Sequence, residues 1–174
     1  MVPMSLRILA PPTSDTSEAP SLVLQCDARK YMFNVGEGTT RVSAQHRASN
    51  MRVDHIFLTR VASETMGGVP GLLMTLADGG RESIDIHAPP NLLYALAATR
   101  LYARRDTMAL NAHEIEVREP HVCYQDEYVQ VQSVPLVPAL HRSLYTDMAE
   151  KGPALDVKAQ LSSPKALRGS QAKA

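Results

Sequence analysis

Apolar residues fall along this chain in short runs, separated by glycine, proline and polar clusters, and the runs carry two different periods. Residues 22–26 (LVLQC) and 31–35 (YMFNV) read as strands, and the DARK segment between them predicts a hairpin. A run at 5–9 predicts a short leading strand, followed to residue 20 by a turn-rich stretch of Pro, Ser and Thr. The second hairpin strand stops at Gly36-Glu37-Gly38, where the glycines permit backbone angles closed to other residues. Thr39 is placed to cap a helix over 40–48. Residues 53–58 (VDHIFL) predict a buried strand and 59–68 a loop. Pro70 suits the first turn of a helix to residue 77, which Gly79-Gly80 would end. After a strand at 84–88, Pro89-Pro90 predicts the opening of a helix through Arg105, with Leu92, Leu93, Leu96, Ala97 and Leu101 on one face. Strands at 113–117 and 128–137 complete the set, and no repeat is visible. Strands that lead as a hairpin and then alternate with helices predict a layered α/β domain over residues 1–138. From 139 the apolar pattern fades into Ser, Pro, Gly, Lys and Ala, which predicts a flexible linker or tail over 139–174.

Composition sharpens this only a little. At 174 residues and 44% hydrophobic, the chain can bury one core. No apolar run approaches the roughly 20 residues of a membrane span, so a membrane role is not expected. The first 20 residues hold a single cation, Arg7, and no long apolar segment, so no secretory signal is expected. Cys26 and Cys123 lack CxxC spacing, which suggests a reducing, intracellular setting rather than a disulfide framework. Charge divides unevenly: residues 1–138 carry 12 Lys/Arg against 15 Asp/Glu, and residues 139–174 carry 6 against 3. A domain that grips nucleic acid by itself normally shows a basic footprint. The segment 1–138, at net −3, does not, so any nucleic-acid role needs help from elsewhere.

The strongest local signal is DHIFLTRVASETMGGVPGLLMTL, residues 54–76. A strand, a loop, Gly-Gly and a helix in this order resemble the way metallo-β-lactamase-fold hydrolases present their first metal ligands. Active members carry HxHxDH in that loop. Three imidazoles and a carboxylate there help hold two zinc ions, which lower the pKa of bound water and clamp a phosphodiester. Aligned on Gly68, this chain places Arg60, Ala62, Glu64 and Thr65 at the His, His, Asp and His positions. One carboxylate cannot hold zinc alone, and an arginine at the first position repels a dication. The metal motif therefore reads as degenerate.

The chain resembles the N-terminal, non-catalytic half of long-form ribonuclease Z (tRNase Z). The resemblance rests on TSDT at 13–16, LVLQCDARKYMFNVGEGTTR at 22–41, DHIFLTRVASETMGGVPGLLMTLADGG at 54–80 and APPNLLYALAATRLYARR at 88–105. A weaker continuation runs through 114–138, so residues 5–138 are covered. The pairing of FxxGEGxxR with IFLTR…GGxxGLLxTL is its specific part. It implies a partial αββα sandwich with a decayed metal site, in a family whose full members are endonucleases that remove the 3′ trailer of precursor tRNA. It also implies that zinc lies in a C-terminal catalytic half, which is the expected partner of this chain, with no cofactor in the chain itself. The family's N-terminal half supplies packing and an arm that grips the tRNA elbow; the resemblance ends before the arm. By the same resemblance the setting is the nucleus, the mitochondrion or both.

Each candidate residue also has a plainer reading. His46, His55, His87, His113, His121 and His141 are scattered and read as ordinary core or surface histidines rather than metal ligands. Glu37 reads as a group fixing backbone amides rather than a base, and Arg60 as an ion-pair partner rather than an RNA contact. Arg100, Arg104 and Arg105 suit the negative end of a helix dipole; weak RNA contact is the alternative. Gly67-Gly68 lacks the lysine of a phosphate loop and reads as a point of close helix–sheet approach. Two functions follow: the scaffold of a tRNA 3′-processing endoribonuclease, inactive alone, or an independent protein-interaction module with no RNA role.

Overall fold

The computed structural model describes residues 3–10, 19–27, 29–45, 52–100, 103, 106–116, 119–136 and 155–160. Strands β1 (Met4–Ala10), β2 (Ser21–Cys26) and β3 (Arg29–Phe33) form an antiparallel meander. Then β4 (Val53–Phe57), β5 (Ser83–Ala88) and β6 (Ala109–Glu114) add in parallel, giving one six-stranded sheet in sequence order. Between them lie helices α1 (Thr39–Gln45), α2 (Ser63–Met66), α3 (Val69–Asp78) and α4 (Leu92–Thr99). A second, antiparallel sheet holds β7 (His121–Gln125), β8 (Gln130–Pro135) and β9 (Leu155–Gln160).

Strand alternation divides the core into two layers. Val23, Met32, Ile56, Ile84 and Ile86 pack with Val69, Leu72 and Leu76 of α3 and Leu92 and Leu96 of α4. Leu24, Tyr31, Phe33 and Phe57 point the other way and meet Val131 of β8 and Val129, just before it. Burial on both faces towards the C-terminal ends of these central strands explains the consecutive apolar residues Tyr31-Met32-Phe33 in β3 and Ile56-Phe57 in β4. Each such side chain contributes about 1.5–3 kcal/mol by leaving water, so Tyr31, Phe57 and Ile56, all fully buried, anchor the sandwich. The result is a mixed α/β layered fold with helices on one side of the large sheet and a smaller sheet on the other. The outer helical layer expected beyond the second sheet has no member among the described residues.

Several boundaries differ from the expected ones. α4 does not start at Pro90. Asn91 adopts a left-handed conformation, φ 79°, and the Leu93 amide donates to Glu114 Oε1 at 3.1 Å, so a carboxylate from β6 covers the helix start. Leu93 and Ala97 do not share the buried face; Leu92 and Leu96 do, while Leu93 and Tyr94 are exposed. Thr39 lies inside α1 rather than capping it, and Gly38, at φ 76°, accepts the first helical bond from the Val42 amide. The expected loop at 59–68 contains the single turn α2. β6 begins earlier than expected, β7 was not expected, and Leu155–Gln160, expected as part of a flexible tail, pairs with β8 as a strand. TSDT at 13–16, Leu101, Val117, Val137 and the rest of 139–174 lie outside the described residues.

Candidate functional site

The loop that would carry metal ligands leaves β4 at Leu58 and is closed by its own backbone. Thr65, at the last histidine position, is buried, and its hydroxyl lies within hydrogen-bond distance of the Arg60 carbonyl and, at 3.1 Å, the Ala62 carbonyl. Its own carbonyl accepts from the Val35 amide at 2.7 Å, and the Gly68 amide donates to the Val35 carbonyl at 2.9 Å. The Glu64 carbonyl accepts from the Ala19 amide at 3.3 Å. Asn34, itself left-handed at φ 55°, accepts from the amide and hydroxyl of Thr59 at 2.9 and 3.0 Å. Arg60, Ala62 and Glu64 are each half-buried.

Two glycines make this closure sterically feasible. A Cβ on Gly68 would stand 2.2 Å from the Gly36 carbonyl oxygen, and one on Gly67 would stand 2.7 Å from the Ser63 carbonyl oxygen. The Gly36-Glu37-Gly38 turn is held by side chains that no sequence motif marks. Ser21 Oγ accepts the Gly36 amide at 3.1 Å, and Thr39 Oγ1 donates to the Gly36 carbonyl at 2.7 Å. The two hydroxyls lie 3.0 Å apart. Glu37 is exposed, beside Gly67.

The donor chemistry at these positions does not suit zinc. The positions offer a guanidinium, a methyl, one carboxylate and a hydroxyl turned onto carbonyl oxygens, whereas zinc sites use imidazole, thiolate or carboxylate ligands. Among the described residues no group of three His, Cys, Asp or Glu side chains is arranged to hold a metal ion.

Histidines far apart in sequence do come together, between the two sheets. His55, His87 and His113 stand on the adjacent parallel strands β4, β5 and β6, with His87 opposite His113 and His55 opposite Asp85. The His87 and His113 rings stack at 4.6 Å and 15°, and His55 lies 5.7 Å from His87. Near-parallel stacked rings aim their nitrogens side by side rather than at a common point, which does not suit chelation. Tyr124 of β7 closes over the row, 4.1 Å from His55 and 5.7 Å from His87. His113 Nε2 and Asp85 Oδ1 are 2.9 Å apart. Burial, and then the neighbouring His113 and His55, pull His87 down to about 4. Burial likewise lowers His55. Burial pushes Asp85 upward, but the His113 hydrogen bond and the His55 charge outweigh it and leave Asp85 below its ordinary value. His121 lies apart, with Nδ1 3.1 Å from Ser133 Oγ.

Beside this row, Asp126 ties the sheets together. Its carboxylate accepts from Arg29 at 3.0 Å, from the Tyr31 hydroxyl, from the Tyr124 hydroxyl at 3.0 Å, and from the Tyr128 and Val129 amides at 2.8 Å each. Burial would raise the carboxyl, but the Tyr31 hydroxyl and these amides hold it below its ordinary value. The Tyr124 phenol is pushed up to about 12, chiefly by burial and by its bond to Asp126. Of the candidate RNA contacts, Arg100 is exposed at the end of α4, while Arg104 and Arg105 lie outside the described residues, as do the histidines His46 and His141.

Known proteins resemble this chain in sequence and in fold. A family profile described as tRNase Z endonuclease matches residues 7–68. A mitochondrial tRNase Z of Arabidopsis thaliana is 38% identical over 145 residues, covering 73% of this chain and 15% of that protein. The mitochondrial ribonuclease Z of Drosophila melanogaster is 33% identical, covering 77% of this chain and 17% of its own length. Among solved structures, a long-form RNase Z from yeast superposes with a TM-score of 0.66 at 28% identity, over 78% of this chain and 18% of that one. The human short-form tRNase Z superposes with a TM-score of 0.67 at 19% identity, over 90% of this chain and 64% of that one, and so speaks for the fold. A metallo-β-lactamase-fold protein from Bacillus subtilis, at a TM-score of 0.62 and 8% identity over 92% of this chain and 58% of its own, does the same. The chain therefore spans about 15% of the length of the Arabidopsis relative it matches.

Proposed function

This chain belongs to the tRNase Z family, and on that premise we propose that it is the non-catalytic N-terminal part of an endonuclease that removes 3′ trailers from precursor tRNA. In this reading it is a scaffold. Its partner is a zinc-dependent catalytic half of the same protein, and precursor tRNA reaches it through the assembled enzyme. The observation that carries the reading is the closed loop at 59–68. Arg60, Ala62 and Thr65 replace imidazoles, and the Thr65 hydroxyl and carbonyl are spent on local backbone contacts. Hydrolysis of a phosphodiester at neutral pH in this fold needs metal-activated water, and no residue of this loop supplies a substitute base aimed at a substrate.

The names of the Arabidopsis and Drosophila relatives place those proteins in mitochondria, which supports a mitochondrial setting for this one, with the nucleus as a second site in the same proposal. The test is metal analysis of the purified chain after exposure to zinc and gel filtration, together with an assay on precursor tRNA. The expected result is well under one zinc per chain and no cleavage. One or two tightly held zinc ions per chain, or trailer removal by this chain alone, would overturn the reading.

A further inference from the structure

One edge of the large sheet is open in its backbone and in its side chains at the same residues. β1 is the first strand of the sheet and, among the described residues, pairs with β2 alone. Its register sets Met4 against Cys26, Ser5 against Gln25, Leu6 against Leu24, Arg7 against Val23 and Ile8 against Leu22. An antiparallel strand bonds its neighbour through alternate residues. The Asp27 amide donates to the Pro3 carbonyl at 3.1 Å, one step beyond Met4 and Cys26 in the same register. Pro3, Ser5 and Arg7 therefore turn their backbone groups towards β2, and the amides and carbonyls of Met4, Leu6 and Ile8 turn outwards.

The side chains of those three residues are uncovered as well. Met4, Leu6 and Ile8 are exposed, although their register partners Cys26 and Leu24 are buried between the sheets and Leu22 partly so. The opposite edge differs: Leu110 and Ala112 of β6 are partly buried against the helix-side core. β1 also lacks the usual guards of an edge strand. Met4 to Ile8 contains no proline or lysine, and the irregularity in its pairing lies after Ile8. Its one charge, Arg7, stands in register with Val23 of the helix-side core and so belongs to the other face.

A helix laid on this edge would cover the side chains and leave the outward amides and carbonyls unpaired, whereas a strand takes both. We propose that β1 accepts a strand from the catalytic half of the same protein, one with apolar residues at alternate positions, which extends the large sheet beyond β1. The partner follows from the scaffold reading: this chain matches 15–17% of the length of its Arabidopsis and Drosophila relatives, and most of each lies outside the match. An added strand lies about 4.8 Å from β1, with every second side chain beside Met4, Leu6 and Ile8. In such additions main-chain hydrogen bonds supply affinity and the alternate side chains supply specificity.

The test separates backbone pairing from side-chain contact. Leu6→Ala and Leu6→Pro both remove the leucine, but only proline removes the outward amide. Neither takes a bond from the β1–β2 ladder, and an edge strand tolerates proline where its N–H faces away from the sheet, so the two free chains should melt alike. Titration calorimetry with the separately expressed, zinc-loaded catalytic half should show Leu6→Pro binding about tenfold or more weakly than Leu6→Ala. Amide hydrogen exchange of the unaltered chain gives a second reading that needs no variant. The Leu6 and Ile8 amides should exchange freely in the chain alone and about tenfold or more slowly in the complex, while the Arg7 amide should be protected in both. Equal binding by the two variants, or unslowed exchange at Leu6 and Ile8 in a complex that does form, would overturn strand addition and leave the scaffold reading standing. No complex at all would overturn both. A dimer of the chain alone that Leu6→Pro dissolves and the catalytic half does not displace would give the edge to a second copy, and would overturn the proposal too.

Discussion

Asp126 shows how much one side chain can hold. Its side chain is 9% exposed, while that of its partner Arg29 is 43% exposed. Removing a buried, fully bonded carboxylate strands two phenols and two amides, whereas removing a half-exposed guanidinium leaves water to replace it. Asp126→Ala should therefore lose about 3 kcal/mol of stability, and Arg29→Ala about 1 kcal/mol or less, both read by urea denaturation. Equal losses would show that the ion pair, rather than the hydroxyl and amide bonds, carries the joint. The glycines offer a second contrast. Gly68→Ala drives a Cβ against the Gly36 carbonyl and should cost about 2 kcal/mol or more. A methyl group at Gly71, inside α3, would meet nothing within 4 Å, so Gly71→Ala should gain about 0.5–1 kcal/mol. A stable Gly68→Ala would mean that the two loops do not touch as described.

Among the elements, the histidine row makes the join between β5 and its neighbours sensitive to acid. His87 is 5% exposed, and neither ring nitrogen has a hydrogen-bond partner among the described atoms. Its folded pKa, about 4, lies below the ordinary histidine value near 6.5. The unfolded state therefore binds the proton first, so stability falls as pH drops from about 6.5 towards 4 and levels off below that. The loss should be on the order of 3 kcal/mol. His55, lowered by the same burial, adds a loss of the same sign. His87→Phe, which keeps a ring between Phe57 and His113, should flatten most of this slope; an unchanged slope would assign the acid sensitivity elsewhere.

The same row shows what was legible in the sequence. β3 and β4 were readable because Tyr31-Met32-Phe33 and Ile56-Phe57-Leu58 are consecutive apolar residues buried on both faces. β6 and β9 were not, because most of ALNAHE is exposed and LDVKAQ, though its apolar and polar residues alternate, is a single short run inside a segment otherwise rich in Ser, Pro, Gly, Lys and Ala. The turn at Asn91 was hidden behind two prolines that looked like a helix start. His55, His87 and His113 looked scattered because only the parallel register of three strands brings them together, and a spacing rule along one segment does not detect that. Ser21 and Thr39 were missed for the same reason: their hydroxyls meet across separate elements. The loop residues Arg60, Ala62, Glu64 and Thr65 could be picked out because the ligand pattern they interrupt is local.

At the scale of the whole molecule, one surface stands out. Met4, Leu6 and Ile8 of the edge strand β1 are 44%, 63% and 63% exposed, on the same face as Cys26, Leu24 and Leu22 of the inter-sheet core. An edge strand with an uncovered apolar face invites association. In relatives of which this chain matches only about 15–17%, most of the protein remains available to cover it. A partner that binds only the folded state raises its stability by mass action. The direct measurement is a thermal melt and sedimentation profile of this chain with and without the catalytic half that the scaffold account proposes as its partner, expressed separately and loaded with zinc. The scaffold account predicts a stable complex and a midpoint that rises with partner concentration, with both effects lost in Leu6→Asp/Ile8→Asp. A monodisperse chain whose midpoint is unmoved by excess partner would contradict it, and would leave an independent interaction module as the better description.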